Sequence, residues 1–322
     1  MSTDSQLPFD PSGPVRVSAA LAAGATRKQL RRRSLVGPVR GVRMPAAQAD
    51  DLPSRCRAIG LVLPGEAAFS HATAAALWEL SLPRTIDPAD PVHVIGPAGR
   101  PPLDARATAS HEGLRRAETA LRRGVRLTTV ARTWTDLGST LDRTDLVILT
   151  DAILSLRWPP TTAADLAAAL ALMAGRRGCR ALRASLAVAR HFVDSPMETR
   201  VRLQLIGSGF PCPVVGADLF DDRGCWIARP DMCWPELRLA LEYDGDHHRT
   251  DRAKYVKDIH RKEQMEDYGW RSIVLLARDV LDRWSVSESR LRDAFASRGV
   301  VDLSALADAS DQLVRPRLIT PR

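Results

Sequence analysis

Hydrophobic and polar positions along the chain fall into runs of helical and strand period that divide it into four parts. In the first, VRVSAALAAGATRKQLRRRSLVGPVRGVRMP (15–45), Ser18 is placed to cap a helix over 19–23 and Gly24 to end it. Thr26 is placed to cap a second helix over 27–34, and VGPVRGVRM, with β-branched residues and two glycines, predicts a hairpin. A flexible 1–14 followed by a winged helix-turn-helix over 15–60 is the expected arrangement. Over 61–145 the pattern is mixed. Ser70 caps the apolar HATAAALWEL, which Pro83 stops; VHVIG (92–96) is a strand; and 125–138 runs from strand into a short helix. Residues 146–193 are helical throughout, with an αα-hairpin turning at 175–178, and are expected to connect two functional ends.

From Asp194 the order is helix, strand, strand, helix, strand. Ser195-Pro196-Met197-Glu198 opens a helix over 197–207. A hairpin follows, one arm ending near Met232, the turn at Trp234-Pro235-Glu236 and the return over 238–244. Thr250 or Asp251 caps a charged helix to Tyr268, Gly269 closes it, and RSIVLLA (271–277) is a further strand. The fold class expected is therefore α/β and multidomain: the winged helix, a mixed middle with its helical connector, and an α/β core over 194–298. The tail, 299–322, has weak helical potential and is expected to be partly disordered.

Composition sharpens this only in places. A chain of 322 residues divides into two or three domains. No run approaches 18 uncharged apolar residues, and the polar start lacks the apolar core of a signal peptide, so a cytoplasmic location is expected. The five cysteines are scattered, without zinc spacing, and are expected to be reduced and mostly buried. His71, His93 and His111 stand apart in the sequence and are read as ordinary structural or surface histidines. A net charge of +8, with arginine far outnumbering lysine, is compatible with a polyanionic partner, DNA first among them, or with a solvated basic surface. Lys28, Arg31 and Arg32 are the candidate contacts at the N-terminal end; Arg252, Lys254, Lys257 and Arg261 are those on the charged helix after the hairpin.

The candidate chemistry lies in LALEYDGDHHR (239–249). Residues two apart on a strand share a face, so Glu242 and Asp244 point the same way, and Asp231 on the neighbouring arm can join them. Gathered carboxylates repel and raise one another's pKa, an arrangement that a divalent cation offsets, with hard oxygen ligands suiting Mg²⁺ or Mn²⁺. The reading requires those three carboxyl groups to converge. His247 and His248 follow the strand, where one of them could move a proton during attack on a phosphodiester. Glu198 is either a further acidic site residue or the far half of a capping box with Ser195.

Glu198, Pro230-Asp231, Glu242-Tyr243-Asp244-Gly245, His247-His248, Lys257-Asp258-x-x-Arg261 and Gly269-Trp270 together resemble the very-short-patch-repair endonuclease-like branch of the PD-(D/E)xK nucleases, over about 194–283. The resemblance implies a restriction-endonuclease-like core, Mg²⁺ dependence and DNA cleavage or nicking, with Asp231 the central metal ligand, Glu242 or Asp244 the second, and Glu198 the acid on the leading helix. Asp244 stands where the third motif position is usually lysine, so a histidine or a basic residue of the next helix has to replace it. GATRKQLRRRSLVGPVRGV, SHATAAALWEL and RLTTVARTWTDLG resemble the winged-helix antitoxins of abortive-infection systems, which implies promoter binding and leaves a toxin or repair partner open. The rival expectation is a non-catalytic regulator whose nuclease-like domain has become a scaffold.

Overall fold

The computed structural model describes residues 7–103, 107–158, 160–245, 252–300, 302–303 and 317–320, a mixed α/β protein with several separate sheets. Two compact units are formed, one from Met1–Asp145 with Ala163–Arg183, the other from Leu146–Thr162 with Ala184–Arg322.

In the N-terminal unit β1 (Val15–Arg16) leads into α1 (Val17–Ala22), and β2 (Leu35–Val36) and β3 (Val42–Pro45) form the expected hairpin, with β1 on the far side of β3. Ser18 lies inside α1 rather than capping it, because Arg16 is drawn into the pairing with β3 and the helix starts at Val17. The helix expected over 27–34 is reduced to one 3₁₀ turn, Gln29–Arg31. Its last carbonyls are taken from outside: Arg43 Nε donates to Leu30 O (2.8 Å), Leu35 N to Arg32 O and Ala46 N to Ser34 O. The chain from Arg32 is thereby committed to the hairpin. Thr26 does cap the turn, its hydroxyl accepting from Gln29 N while Gln29 Oε1 accepts from Thr26 N.

After α2 (Leu52–Gly60), a five-stranded sheet is built from β4 (Ala68–Phe69), β5 (Val92–Gly96), β6 (Thr108–Glu112), β7 (Thr119–Arg122) and β8 (Val125–Thr128), in the order β6-β5-β4-β8-β7. Between β4 and β5 runs α3 (His71–Leu77). It ends well before Pro83 because Glu79 enters the left-handed region (φ 64°) and lets Leu80 N bond back to Ala75 O, a helix stop that glycine usually makes. Ser70 occupies the cap position, but its side chain makes no capping hydrogen bond to the helix backbone. Thr129 caps α4 (Val130–Leu137), whose Trp134 and Leu137 are buried.

The helical stretch is divided between the units. α5 (Arg143–Leu154) belongs from Leu146 onward to the C-terminal unit, α6 (Ala163–Ala171) to the N-terminal one, and α7 (Cys179–Val188) is divided at Arg183, so this segment contributes to both cores instead of forming a separate connector. The turn between α6 and α7 has Gly175 and Gly178 at positive φ, as expected.

The C-terminal unit opens with α8 (Pro196–Gly207), and continues through β9 (Val214–Val215), the hairpin β10 (Asp218–Asp221) and β11 (Trp226–Ala228), β12 (Met232–Trp234), β13 (Leu239–Asp244), α9 (Arg252–Asp267), β14 (Arg271–Leu276), α10 (Ala277–Leu281) and α11 (Trp284–Ala296). Its central sheet has the order β14-β13-β12-β9, antiparallel except for the β13–β14 pair. Alternation along β13 divides the core: Leu239 and Leu241 face Val201 and Leu205 of α8 and Phe295 of α11, while Ala240 faces Met265 and Trp270 across the sheet. Within the tail, β15 (Arg317–Thr320) lies parallel to β10, with Leu219 opposite Leu318.

Behind α8 lies a buried ion pair, Arg202 to Asp151 of α5 (2.6 Å), both side chains 1% exposed. Thr199 Oγ1 and Arg190 N also donate to Asp151, and Arg202 donates to Val188 O, so the Asp151 carboxylate is held by three donors and the pair anchors the helix that carries Glu198, with Arg202 Nε making no hydrogen bond among the described residues. The cysteines are unpaired thiols, with Cys56, Cys179, Cys212 and Cys233 buried and Cys225 exposed. No described helix is long and apolar enough to cross a membrane.

Candidate functional site

Register decides which acids meet. Met232 pairs with Leu241 in the β12–β13 ladder, so Asp231, one residue earlier, stands opposite Glu242, one residue later. The ladder is closed there by a side chain: Tyr243 N donates to Asp231 Oδ2 (2.7 Å). Asp231 is held from the other edge by its own carbonyl, which accepts from Gly216 N (3.0 Å). Gly216 has φ 59°, and a Cβ there would come within 2.9 Å of the Phe192 carbonyl oxygen, so the close approach requires glycine.

Glu198 reaches the same place from the first turn of α8. Ser195 Oγ accepts from Glu198 N (3.2 Å), the expected cap, but Glu198 Oε2 accepts from Asp194 N (3.0 Å) rather than from the serine amide. Glu198 is buried, and its pKa is pushed up to about 7, by burial first and then by the charge of Asp231. Asp231 is raised to about 6, chiefly by burial and further by Glu242, against the lowering effects of the Tyr243 amide and Arg261. Glu242 is mostly buried; its Oε2 meets Arg261 of α9 (3.2 Å), and no described donor reaches its Oε1.

Asp231 and Glu242 are thus brought together, with Glu198 beside Asp231. Asp244 shares Glu242's face but lies two residues on, roughly 6.6 Å along the strand. Among the described residues no three carboxylates place one oxygen each within 4.8 Å of one another, so Asp231, Glu242 and Asp244 do not form the three-ligand set expected from the strand pattern. The convergence required of all three is therefore not met, and the metal reading passes to the pair Asp231 and Glu242 alone, one or two carboxylates with water and substrate oxygens being the usual protein share of a Mg²⁺ site. The unmatched Glu242 oxygen and the mutual repulsion at Asp231 are what such an ion would relieve.

His247 and His248 lie outside the described residues, as do the side chains of Arg252, Lys254 and Lys257 on the first half of α9. Arg261, expected as a phosphate contact, pairs with Glu242 and brings a cation to the acids from the helix following the motif. At the N-terminal end Lys28 and Arg31 are exposed beside the 3₁₀ turn and Arg32 is half-buried, while Gln29 and Leu30 turn inward. The histidines read as separate are in fact together: one nitrogen each of His71, His93 and His111 lies within 4.8 Å of the other two. Nothing in their spacing announces it, because three different elements supply them.

No protein-family model matches the chain, and no solved structure does. It is 29% identical over 238 residues to uncharacterized proteins from two strains of Mycobacterium tuberculosis, CDC 1551 / Oshkosh and H37Rv, covering 73% of this chain and 83% of each relative.

Proposed function

We propose that the C-terminal unit is a divalent-metal-dependent endonuclease core acting on DNA in the cytoplasm, and that the basic N-terminal module positions it. The observation that carries the reading is the pairing of Asp231 with Glu242 across β12 and β13, with Glu198 near Asp231, at one end of a sheet ordered β9-β12-β13-β14, with a helix before it and a helix between its two parallel strands. The resemblance to the very-short-patch-repair branch implies an α/β nuclease core with Asp231 as the central ligand, Glu242 or Asp244 as the second and Glu198 on the leading helix. A bound Mg²⁺ or Mn²⁺ would supply Lewis-acid stabilisation of the phosphodiester undergoing attack. Asp231 and Glu242 would hold that ion, and Arg261 keeps Glu242 oriented while adding positive charge where a phosphate must approach. Glu198, raised to about 7, is poised to hold or release a proton at neutral pH. Proton delivery at the leaving oxygen is assigned to His247 or His248, and backbone phosphates to Lys28, Arg31, Arg32, Arg252, Lys254 and Lys257.

A second reading has its own support. Asp244 occupies the position usually held by lysine, and the acids present a pair rather than a triad, as expected of a regulator that binds DNA without cutting it. Supercoiled plasmid separates the two. The enzyme reading expects nicking in Mg²⁺ that stops in EDTA and in both Asp231→Asn and Glu242→Gln. Intact plasmid under every divalent ion, with gel-shift binding retained in EDTA, favours the regulator and overturns the enzyme.

A further inference from the structure

β6 lies parallel to β5 with His93 opposite Ala109 and Ile95 opposite His111, so His93 and His111 are diagonal neighbours on one face of the sheet. His71, the first residue of α3, comes over them: its ring centroid is 3.7 Å from that of His111 and 5.3 Å from that of His93, all three rings stacked within 23° of parallel. His93 Nδ1 and His111 Nε2 are 2.9 Å apart. We propose that His71, His93 and His111 form a binding site for one borderline divalent transition-metal ion of the zinc(II) or cobalt(II) type.

The spacing suits such an ion. Metal–nitrogen bonds of about 2.0–2.1 Å in tetrahedral geometry set ligand nitrogens roughly 3.3 Å apart. The hydrogen-bonded His93–His111 pair, at 2.9 Å, is slightly closer than that and the remaining separations are no more than 4.8 Å, so an ion would replace that hydrogen bond with small ring rotations. Ligand type excludes the ions proposed for the other site, since imidazole suits zinc, cobalt, nickel or copper and Mg²⁺ takes oxygen.

A supporting layer is built around the trio. His71 Nδ1 is 3.0 Å from Ser70 Oγ and 4.0 Å from Asp136 Oδ2, and that oxygen is buried with no hydrogen bond among the described residues. Arg132 holds the other oxygen of Asp136 (2.7 Å) and also pairs with Glu118. A carboxylate backing a metal-bound histidine is a recurrent way to orient the ring and raise its basicity. The backbone adds a second sign of purpose. His71 sits at φ 49°, a left-handed conformation that costs a non-glycine residue energy and persists only where the surroundings impose it. Here they do: Ser70 N donates to His93 O (3.0 Å), and His93 N donates to Thr73 Oγ1 (2.9 Å), so the start of α3 is tied to the strand bearing His93. Three protein ligands leave a fourth position for water or another ligand, and all three histidines retain partial exposure through which an ion can enter.

This site lies wholly in the N-terminal unit and does not depend on the nuclease reading. The test titrates cobalt(II) into the EDTA-dialysed full chain and follows hyperfine-shifted imidazole proton resonances. The expected result is one equivalent that shifts the signals of three histidines and is displaced by zinc(II). His93→Asn and His111→Asn should each weaken that binding by more than about 100-fold, and Asp136→Asn by about 10–100-fold, while Asp231→Asn leaves it unchanged. Cobalt(II) that binds wild type without shifting these imidazoles, or binds folded His93→Asn as tightly as wild type, overturns the proposal. The wild-type spectrum decides the matter even if a variant fails to fold.

Discussion

The two clusters use one physical device with opposite electrostatic sign. At His71 and His93 burial keeps the imidazoles neutral, as the binding proposed there for a borderline cation requires. At Glu198 and Asp231 burial and mutual repulsion oppose ionisation, so the metal-free site holds protons that a hard cation would displace. Each is backed by an arginine–carboxylate pair: Arg132 binds Asp136 behind His71, and Arg202 binds Asp151 behind the helix of Glu198. A site's character here follows from which titratable group is desolvated, more than from the net charge of +8.

The largest expected effect probes those arginines. Arg202→Ala leaves Asp151 buried without its cation and should destabilise the C-terminal unit by about 3–5 kcal/mol, read from urea unfolding followed by hydrogen exchange. Arg132→Ala should cost less, because its side chain is 10% exposed against 1% for Arg202 and water can replace part of what is lost. Equal losses would break the parallel.

Next in size is the response to pH in the metal-free chain. His71 and His93 have folded pKa values below the ordinary 6.5, so the unfolded state binds more protons; their contribution is present above about 6.5 and is lost as pH falls toward 4 and below, with Asp136, raised to about 6, opposing in part. Glu198 and Asp231 are raised above 4.5 and 3.8, so their contribution is present below about 4 and is lost as pH rises through 6 to 7. Acid should therefore loosen peptides of the N-terminal unit, and mild alkali those of the C-terminal unit, in hydrogen-exchange mass spectrometry. Glu198→Gln, which can still accept from Asp194 N, should remove part of the alkaline loss, about 1–3 kcal/mol at pH 8. Both units softening in the same direction would contradict the comparison.

What could be read beforehand tracks how local the information is. Ser195-Pro196-x-Glu198 announces a helix start on adjacent residues, and the alternation Leu239, Leu241 against Glu242, Asp244 sets the faces of β13 correctly. Gly269 ends α9 as expected: its positive φ lets Trp270 N reach Met265 O. Elements that depend on distant partners were hidden. The two-residue β4 and the tail strand β15 carry too little pattern to stand out, and β15 exists through pairing with β10, nearly a hundred positions earlier. The 27–34 helix was overruled by Arg43, which takes the Leu30 carbonyl. The histidine cluster was illegible because parallel pairing of β5 with β6, and the placement of α3 over them, bring together residues whose spacings follow no helical or strand period. Arg261 meets Glu242 because α9 packs beside β13, so its role follows from the fold and not from the motif.

If Asp231 and Glu242 sit together because a divalent cation offsets their repulsion, manganese(II) binding followed by electron paramagnetic resonance should show it. One Mn²⁺ is expected to bind at pH 7.5, to raise the melting temperature of the C-terminal unit, and to be lost in Asp231→Asn and in Glu242→Gln while His93→Asn retains it. Mn²⁺ binding that is absent from the folded wild type, or equal in wild type and Asp231→Asn, would contradict it.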